Sequence, residues 1–250
     1  MKMRLGGFVD FSTVDYSGHV AFMIFMAGCN FRCPYCQNAS LIPANSGKEF
    51  EAEEVKNRVR NSCNFIDAVG FSGGEPALQP DGVSEICSYA KKIGLKTFLN
   101  TNGSNPTLMQ VLADRKLIDY VAIDLKAPLE PEAYGRVVGL KEVEPILKNV
   151  EKTLGICLER GIAVEARTTI VPNLIHDDMS IRKISRKAGK CKVYVLQQFS
   201  PLGDILDRKL KDLPPPSRED LLRLAKVALQ EGLKDVRVRT REAGEERVEL

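Results

Sequence analysis

"VAFMIFMAGCNFRCPYCQN", residues 20–38, begins as an apolar run and ends with three cysteines, Cys29, Cys33 and Cys36, inside eight positions. The run up to Gly28 reads as a buried strand, which puts the thiols on the loop after its C-terminal end. The rest of the chain repeats this plan. Strands read at 67–74, 96–103, 119–126, 163–172 and 192–201 alternate with amphipathic helices read at 50–63, 82–94, 105–116, 142–161 and 178–189. After the breaker "DLPPPS" come a helix at 218–232 and a short strand at 235–240. Strands spaced by helices predict a parallel sheet with helices outside it, and right-handed crossovers favour a full or partial barrel. No composition shift marks a linker.

Composition narrows the class of function. With 250 residues, 44% hydrophobic and 28% charged, the chain can bury a sizeable core. Its 36 basic and 33 acidic residues are spread evenly, so neither nucleic acid nor a membrane surface is an expected partner. The longest apolar run is about half of what a membrane helix requires, and no charged leader precedes it, so a cytoplasmic location is expected. In a reducing compartment seven cysteines are thiols or metal ligands before they are disulfides. Cys63, Cys87, Cys157 and Cys191 stand singly and read as small core residues.

In parallel α/β folds functional residues gather at the C-terminal ends of strands. There this sequence has the cysteine loop, "SGGEP" (72–76), "NTNG" (100–103), "DLK" (124–126), "RTTIVPN" (167–173) and "QQFSP" (197–201). Each alone could be turn punctuation, but six on one rim are poorly explained by packing.

Zinc takes four tetrahedral ligands, and a chain with only His19 and His176 and no second CxxC is poorly equipped to supply them. Three thiolates on a short loop can instead hold three irons of a 4Fe-4S cluster and leave the fourth open to an exogenous ligand. CxxxCxxC with Tyr35 before the third cysteine, followed by "GGEP" about forty residues on, resembles the signature of the radical S-adenosylmethionine (radical SAM) superfamily. "FSTVDYSGHVAFMIFMAGCNFRCPYCQN", "NTNGSNP", "DYVAIDLKAPLE", "RTTIVPNLIHDD" and "YVLQQFSP" together resemble the glycyl-radical enzyme activating enzymes. The type resembled is the anaerobic ribonucleoside-triphosphate reductase activating protein, with pyruvate formate-lyase activase more distant. The resemblance runs from about Phe8 to the C-terminal helix.

The resemblance implies a partial (β/α)6 TIM-like barrel: one domain over 1–250, with the cluster loop at 27–38, the core barrel at about 20–200 and a C-terminal helix and strand at 217–240. It implies a 4Fe-4S cluster on Cys29, Cys33 and Cys36, with S-adenosyl-L-methionine on the open iron. It places the Tyr35 region beside the adenine and Gly73, Gly74 and Glu75 at the cofactor's amino group. Thr101 and Asp124 fall near the ribose and a monovalent cation, Lys126 at the carboxylate end, and Arg167 and His176 on the strand-five rim. The implied partners are a glycyl-radical enzyme, of which class III ribonucleotide reductase is one, and a reductant such as flavodoxin or ferredoxin, under anaerobic conditions.

The chain departs from the family pattern at three places. Gln37 stands for the usual histidine, Asn100 for the aspartate of "DTNG", and Asn173-Leu174-Ile175 for a shorter glycine turn. Two other readings stay open at the level of sequence. One is a radical SAM enzyme that modifies a small molecule or nucleobase; the other is a cluster-bearing electron-transfer or scaffold protein, which would have no need of "GGEP" or "DLK".

Overall fold

The computed structural model describes all 250 residues, and the chain divides into two compact units. The first comprises residues 1–30, 40–122 and 149–162; the second comprises 31–39, 123–148 and 163–250.

The first unit carries strands β1 (Lys2–Ser12), β2 (Ala21–Met26), β3 (Lys48–Glu51), β4 (Ala68–Gly73) and β5 (Lys96–Thr101), in the order β3-β1-β2-β4-β5. β2, β4 and β5 are parallel, with Ala21 opposite Ala68 and Met26 opposite Gly73. Phe22, Met23, Ile24 and Met26 are fully buried, as a parallel strand with both faces covered requires. Helices α1 (Ala52–Ser62), α2 (Pro80–Lys92) and α3 (Pro106–Asp114) belong to this unit. α2 and α3 each begin with a proline, where a missing N–H costs nothing.

β1 and β3 add an antiparallel edge that the helix–strand alternation does not contain. β3 also trims the helix expected from Phe50. The chain stays extended to Glu51, whose N–H donates to Glu54 Oε2 (2.7 Å), and the helix starts at Ala52.

β6 (Tyr120–Asp124) and α5 (Glu144–Glu159) each have residues in both units. The second unit holds α4 (Pro131–Val138), β7 (Ala163–Ile170), α6 (Asp178–Ala188), β8 (Val193–Gln198), α7 (Arg218–Gln230), β9 (Val236–Thr240) and β10 (Gly244–Arg247). Its strands run β7-β8-β9-β10, the first three parallel and β10 antiparallel. Tyr194, Leu196, Val236 and Val238 are fully buried. α7 opens with a capping box, Ser217 and Asp220 exchanging hydrogen bonds, directly after the prolines that break the chain.

The six strands expected of a (β/α)6 plan are present as β2, β4, β5, β6, β7 and β8, and the expected C-terminal strand as β9. Cys87 and Cys157 are buried, as expected of core residues. Cys63 and Cys191 are only half-buried, because each lies just beyond a helix C-terminus.

Candidate active site

In the first unit, main-chain hydrogen bonds join the end of β4 to the end of β2. Gly74 N–H donates to Met26 O (2.8 Å) and Glu75 N–H to Gly28 O (2.7 Å). Gly28 and Cys29 N–H in turn donate to Leu41 O (2.8 Å) and Ile42 O (3.0 Å). Both glycines are sterically required. A Cβ on Gly73, whose φ is +106°, would lie 2.5 Å from Met26 O, and one on Gly74 would lie 2.1 Å from Gly28 O. The pair thus lets "GGEP" reach the start of the cysteine loop.

Glu75 is 1% exposed, and its carboxylate turns back into the fold. Oε1 accepts from Ala77 N–H (3.0 Å) and the Thr101 hydroxyl (2.7 Å), while Oε2 accepts from Asn102 N–H (2.7 Å). Thr101 Oγ1 also accepts from Gly103 N–H (3.1 Å). Glu75 and Thr101 therefore spend these side-chain groups on each other and on the β5 turn, and the main chain of 73–75 is what they position.

In the second unit, Cys33, Tyr35 and Cys36 occur with Asp124 and Lys126 from the end of β6. Lys126 Nζ donates to Asp124 Oδ2 (2.8 Å), the side chains 16% and 37% exposed. Burial alone would favour the neutral amine. The Asp124 carboxylate beside it outweighs burial and holds the ammonium well above the ordinary lysine value. Burial leaves the Cys33 and Cys36 thiols raised, and the Lys126 charge opposes that shift at both without cancelling it. Burial also pushes the Tyr35 phenol well up. A fixed cation thus faces two thiols and an aromatic ring.

The loop carrying these thiols is stapled on two sides. Arg32 N–H donates to Val138 O (2.9 Å) at the end of α4, where Gly139 adopts φ +69° and a Cβ would lie 2.3 Å from Arg32 O. On the other side, Leu206 N–H donates to Cys36 O (3.3 Å) and Asp207 N–H to Pro34 O (2.8 Å), so the segment after β8 lies along the loop. Gln37 Nε2 donates to Ser200 O (3.1 Å) in the same segment. Neither staple was legible in the sequence. α4 has only eight residues, and the segment after β8 has no periodicity to mark it.

Arg167 and His176 are placed differently from the other candidates. Arg167 is buried, its Nε donating to Glu165 Oε1, and its carbonyl accepts Leu125 N–H (2.8 Å). His176 is exposed beside Asp177, and the α6 cap is Asp177 itself, which accepts from Ser180 N–H (2.8 Å).

Thiols are the donor chemistry that an iron–sulfur cluster takes, and in the second unit Cys33 and Cys36 lie in the field of Lys126. No cysteine is in a disulfide, and a neighbouring ammonium favours thiolate ligands.

Comparison with known proteins gives the family. The sequence model of the Radical SAM superfamily matches residues 23–184. A protein of Methanocaldococcus jannaschii, provisionally named a glycyl-radical enzyme activating enzyme, is 38% identical over 91% of this chain and 92% of its own. The pyruvate formate-lyase 1-activating enzyme of Escherichia coli K12 is 29% identical over 92% and 97%. Among solved structures, a radical SAM methyltransferase from Sphaerobacter thermophilus superposes with a TM-score of 0.69 at 17% identity, over 90% of this chain and 67% of that one. That likeness carries the fold, the partial barrel expected from the sequence.

Proposed function

Since the chain belongs to the radical SAM superfamily, among the oxidoreductases that activate glycyl-radical enzymes, we propose that it generates a glycyl radical on a partner enzyme. The family implies a 4Fe-4S cluster and S-adenosylmethionine. In this reading Cys29, Cys33 and Cys36 hold the cluster and residues 1–250 act as one domain.

When bound, the cluster and S-adenosylmethionine would supply reductive cleavage of the cofactor, with one electron taken from the reductant, and removal of a hydrogen atom from a glycine Cα. The protein's part is to bind, orient and exclude water. The main chain of Gly73, Gly74 and Glu75 would receive the cofactor's amino group, the segment being fixed by the Gly74 and Glu75 N–H bonds and by the Glu75 carboxylate. Lys126 complements the methionine carboxylate as a point charge. Asp124 accepts from the ribose hydroxyls, Tyr35 packs by the adenine, and Thr101 belongs to the same surroundings with a monovalent cation. Arg167 and His176 complete the rim. The reductant is a flavodoxin or ferredoxin and the setting is an anaerobic cytoplasm. No helix is long and apolar enough to cross a membrane.

The observation that carries this reading is the Lys126 ammonium held by Asp124 toward the thiol loop. In an electron-transfer protein such a charge would only tune a cluster's potential; relatives named as activating enzymes along nearly the whole chain favour the catalytic reading. The substrate is tested by mixing reduced protein, S-adenosylmethionine and a class III ribonucleotide reductase from the same organism. A glycyl electron paramagnetic resonance signal is expected, and it should vanish when the partner glycine becomes alanine. Deoxyadenosine formation with a small metabolite and no glycyl signal would favour a small-molecule radical SAM enzyme.

A further inference from the structure

The β5 turn does more than receive the Glu75 bonds. Asn102 is 4% exposed, and its side-chain amide is engaged at both ends. Nδ2 donates to Asn30 Oδ1 (2.8 Å), and Oδ1 accepts from Ser104 N–H (2.9 Å). Asn30 closes a ring, its own Nδ2 donating to Ser104 Oγ (2.9 Å). Both ends of the Asn30 amide are thus gripped by one turn, two residues apart. Gly103 permits that turn with φ +76°.

The turn is itself anchored from two directions. Asn102 N–H donates to Glu75 Oε2 (2.7 Å), tying it to "GGEP". From α5, the Thr153 hydroxyl donates to Gly103 O (2.7 Å) and Asn149 Nδ2 to Ser104 O (3.0 Å). Asn30 directly follows Cys29, whose N–H is already fixed to Ile42 O (3.0 Å). Cys29 is thus held at its own N–H by Ile42 O, and the residue after it is held through its side-chain amide.

We propose that the turn Thr101–Ser104 is a clamp that positions Cys29 as a cluster ligand by gripping Asn30, with Asn102 and Ser104 as positioning residues. This rests on the reading of Cys29 as an iron ligand. Groups that orient a metal ligand without touching the metal typically change metal affinity by about 10- to 100-fold when removed. A glycine or alanine at 30 would leave Cys29 with a freer backbone on one side and the Asn102 amide without its acceptor.

The test uses the full chain, reconstituted anaerobically with iron and sulfide, as wild type, Asn30→Ala, Asn102→Ala, Ser104→Ala, Ser104→Thr and the Asn30→Ala/Asn102→Ala double variant. Iron content, the rate of iron loss to a chelator and the electron paramagnetic resonance spectrum of the reduced cluster are read together. The three single alanine variants should load iron as the wild type does, lose it about tenfold faster and show a shifted cluster spectrum. Ser104→Thr keeps the hydroxyl and should behave as wild type. The double variant should fall short of the sum of the two singles, because the Asn30–Asn102 contact is already lost in each of them. Asn30 is half-buried, so Asn30→Ala and Ser104→Ala carry the test even if Asn102→Ala does not fold. Wild-type loss rates and spectra in those two variants, or additive effects in the double one, would overturn the clamp alone. Failure of the wild type to take up any cluster would overturn the reading of the cysteines, and the clamp with it.

Discussion

Glu75 in the first unit and Lys126 in the second are both charges held out of water, but they are satisfied in different ways. Glu75 is 1% exposed and accepts two main-chain N–H groups and a hydroxyl, so its charge is answered by fixed donors of the fold. Lys126 is 16% exposed and makes one ion pair, to an aspartate that is 37% exposed. Its remaining field falls on Cys33, Cys36 and Tyr35. A carboxylate surrounded by backbone donors builds a scaffold, while an ammonium facing thiols is suited to an anionic ligand.

The largest expected effect tests the thiols themselves. Cys33→Ala should abolish cluster binding on reconstitution, read as iron and sulfide per chain, whereas Cys157→Ala in α5 should leave it intact. Equal loss in both variants would mean that the cysteines matter through folding and not as ligands.

Next in size is the contrast between the two charges. Glu75→Gln places an amide NH2 against donors and should cost about 3 kcal/mol of stability, by analogy with lost charged hydrogen bonds, measured by urea unfolding of the metal-free protein. Asp124→Asn keeps an amide oxygen for Lys126 at a half-exposed position and should cost less, about 1 kcal/mol. It should nonetheless weaken S-adenosylmethionine binding about tenfold, as loss of a charged acceptor does, with iron content unchanged. If the stability costs were reversed, the division between scaffold and ligand-facing charge would be wrong.

The smallest effect lies away from both charges, in the β9–β10 hairpin. Asp235 is lowered by its hydrogen bonds from Arg237, and Glu245 is lowered by Arg239 and Arg237 although burial opposes it. A carboxylate whose value is lower in the folded state adds stability above its unfolded value, and that stability is lost as pH falls through the folded value. The melting temperature should therefore fall on the acid side, and Asp235→Asn should flatten that fall by about a few degrees. A steeper fall in the variant would contradict the assignment.

What could be read from the sequence was local. The apolar run 20–28 is a strand and its thiol loop follows it, because burial pattern and spacing are properties of adjacent residues. The proline starts of α2 and α3 and the breaker before α7 were legible for the same reason. The glycine pair was recognisable as a motif, but not its steric cause. That Gly74 must clear Gly28 O, 46 residues away in the sequence, is set by the register of β2 against β4.

The sequence by itself determined the class of chemistry: three closely spaced thiols, a lysine two residues after an aspartate, and strands to present them at one kind of strand end. Only the tertiary structure decided what each polar group does. Glu75 meets Thr101 and Asn102 across 26 and 27 residues, and Asn102 meets Asn30 across 72. The parallel strands bring their C-terminal ends side by side, and a buried carboxylate or amide must then take whichever donors and acceptors its neighbours on that edge provide.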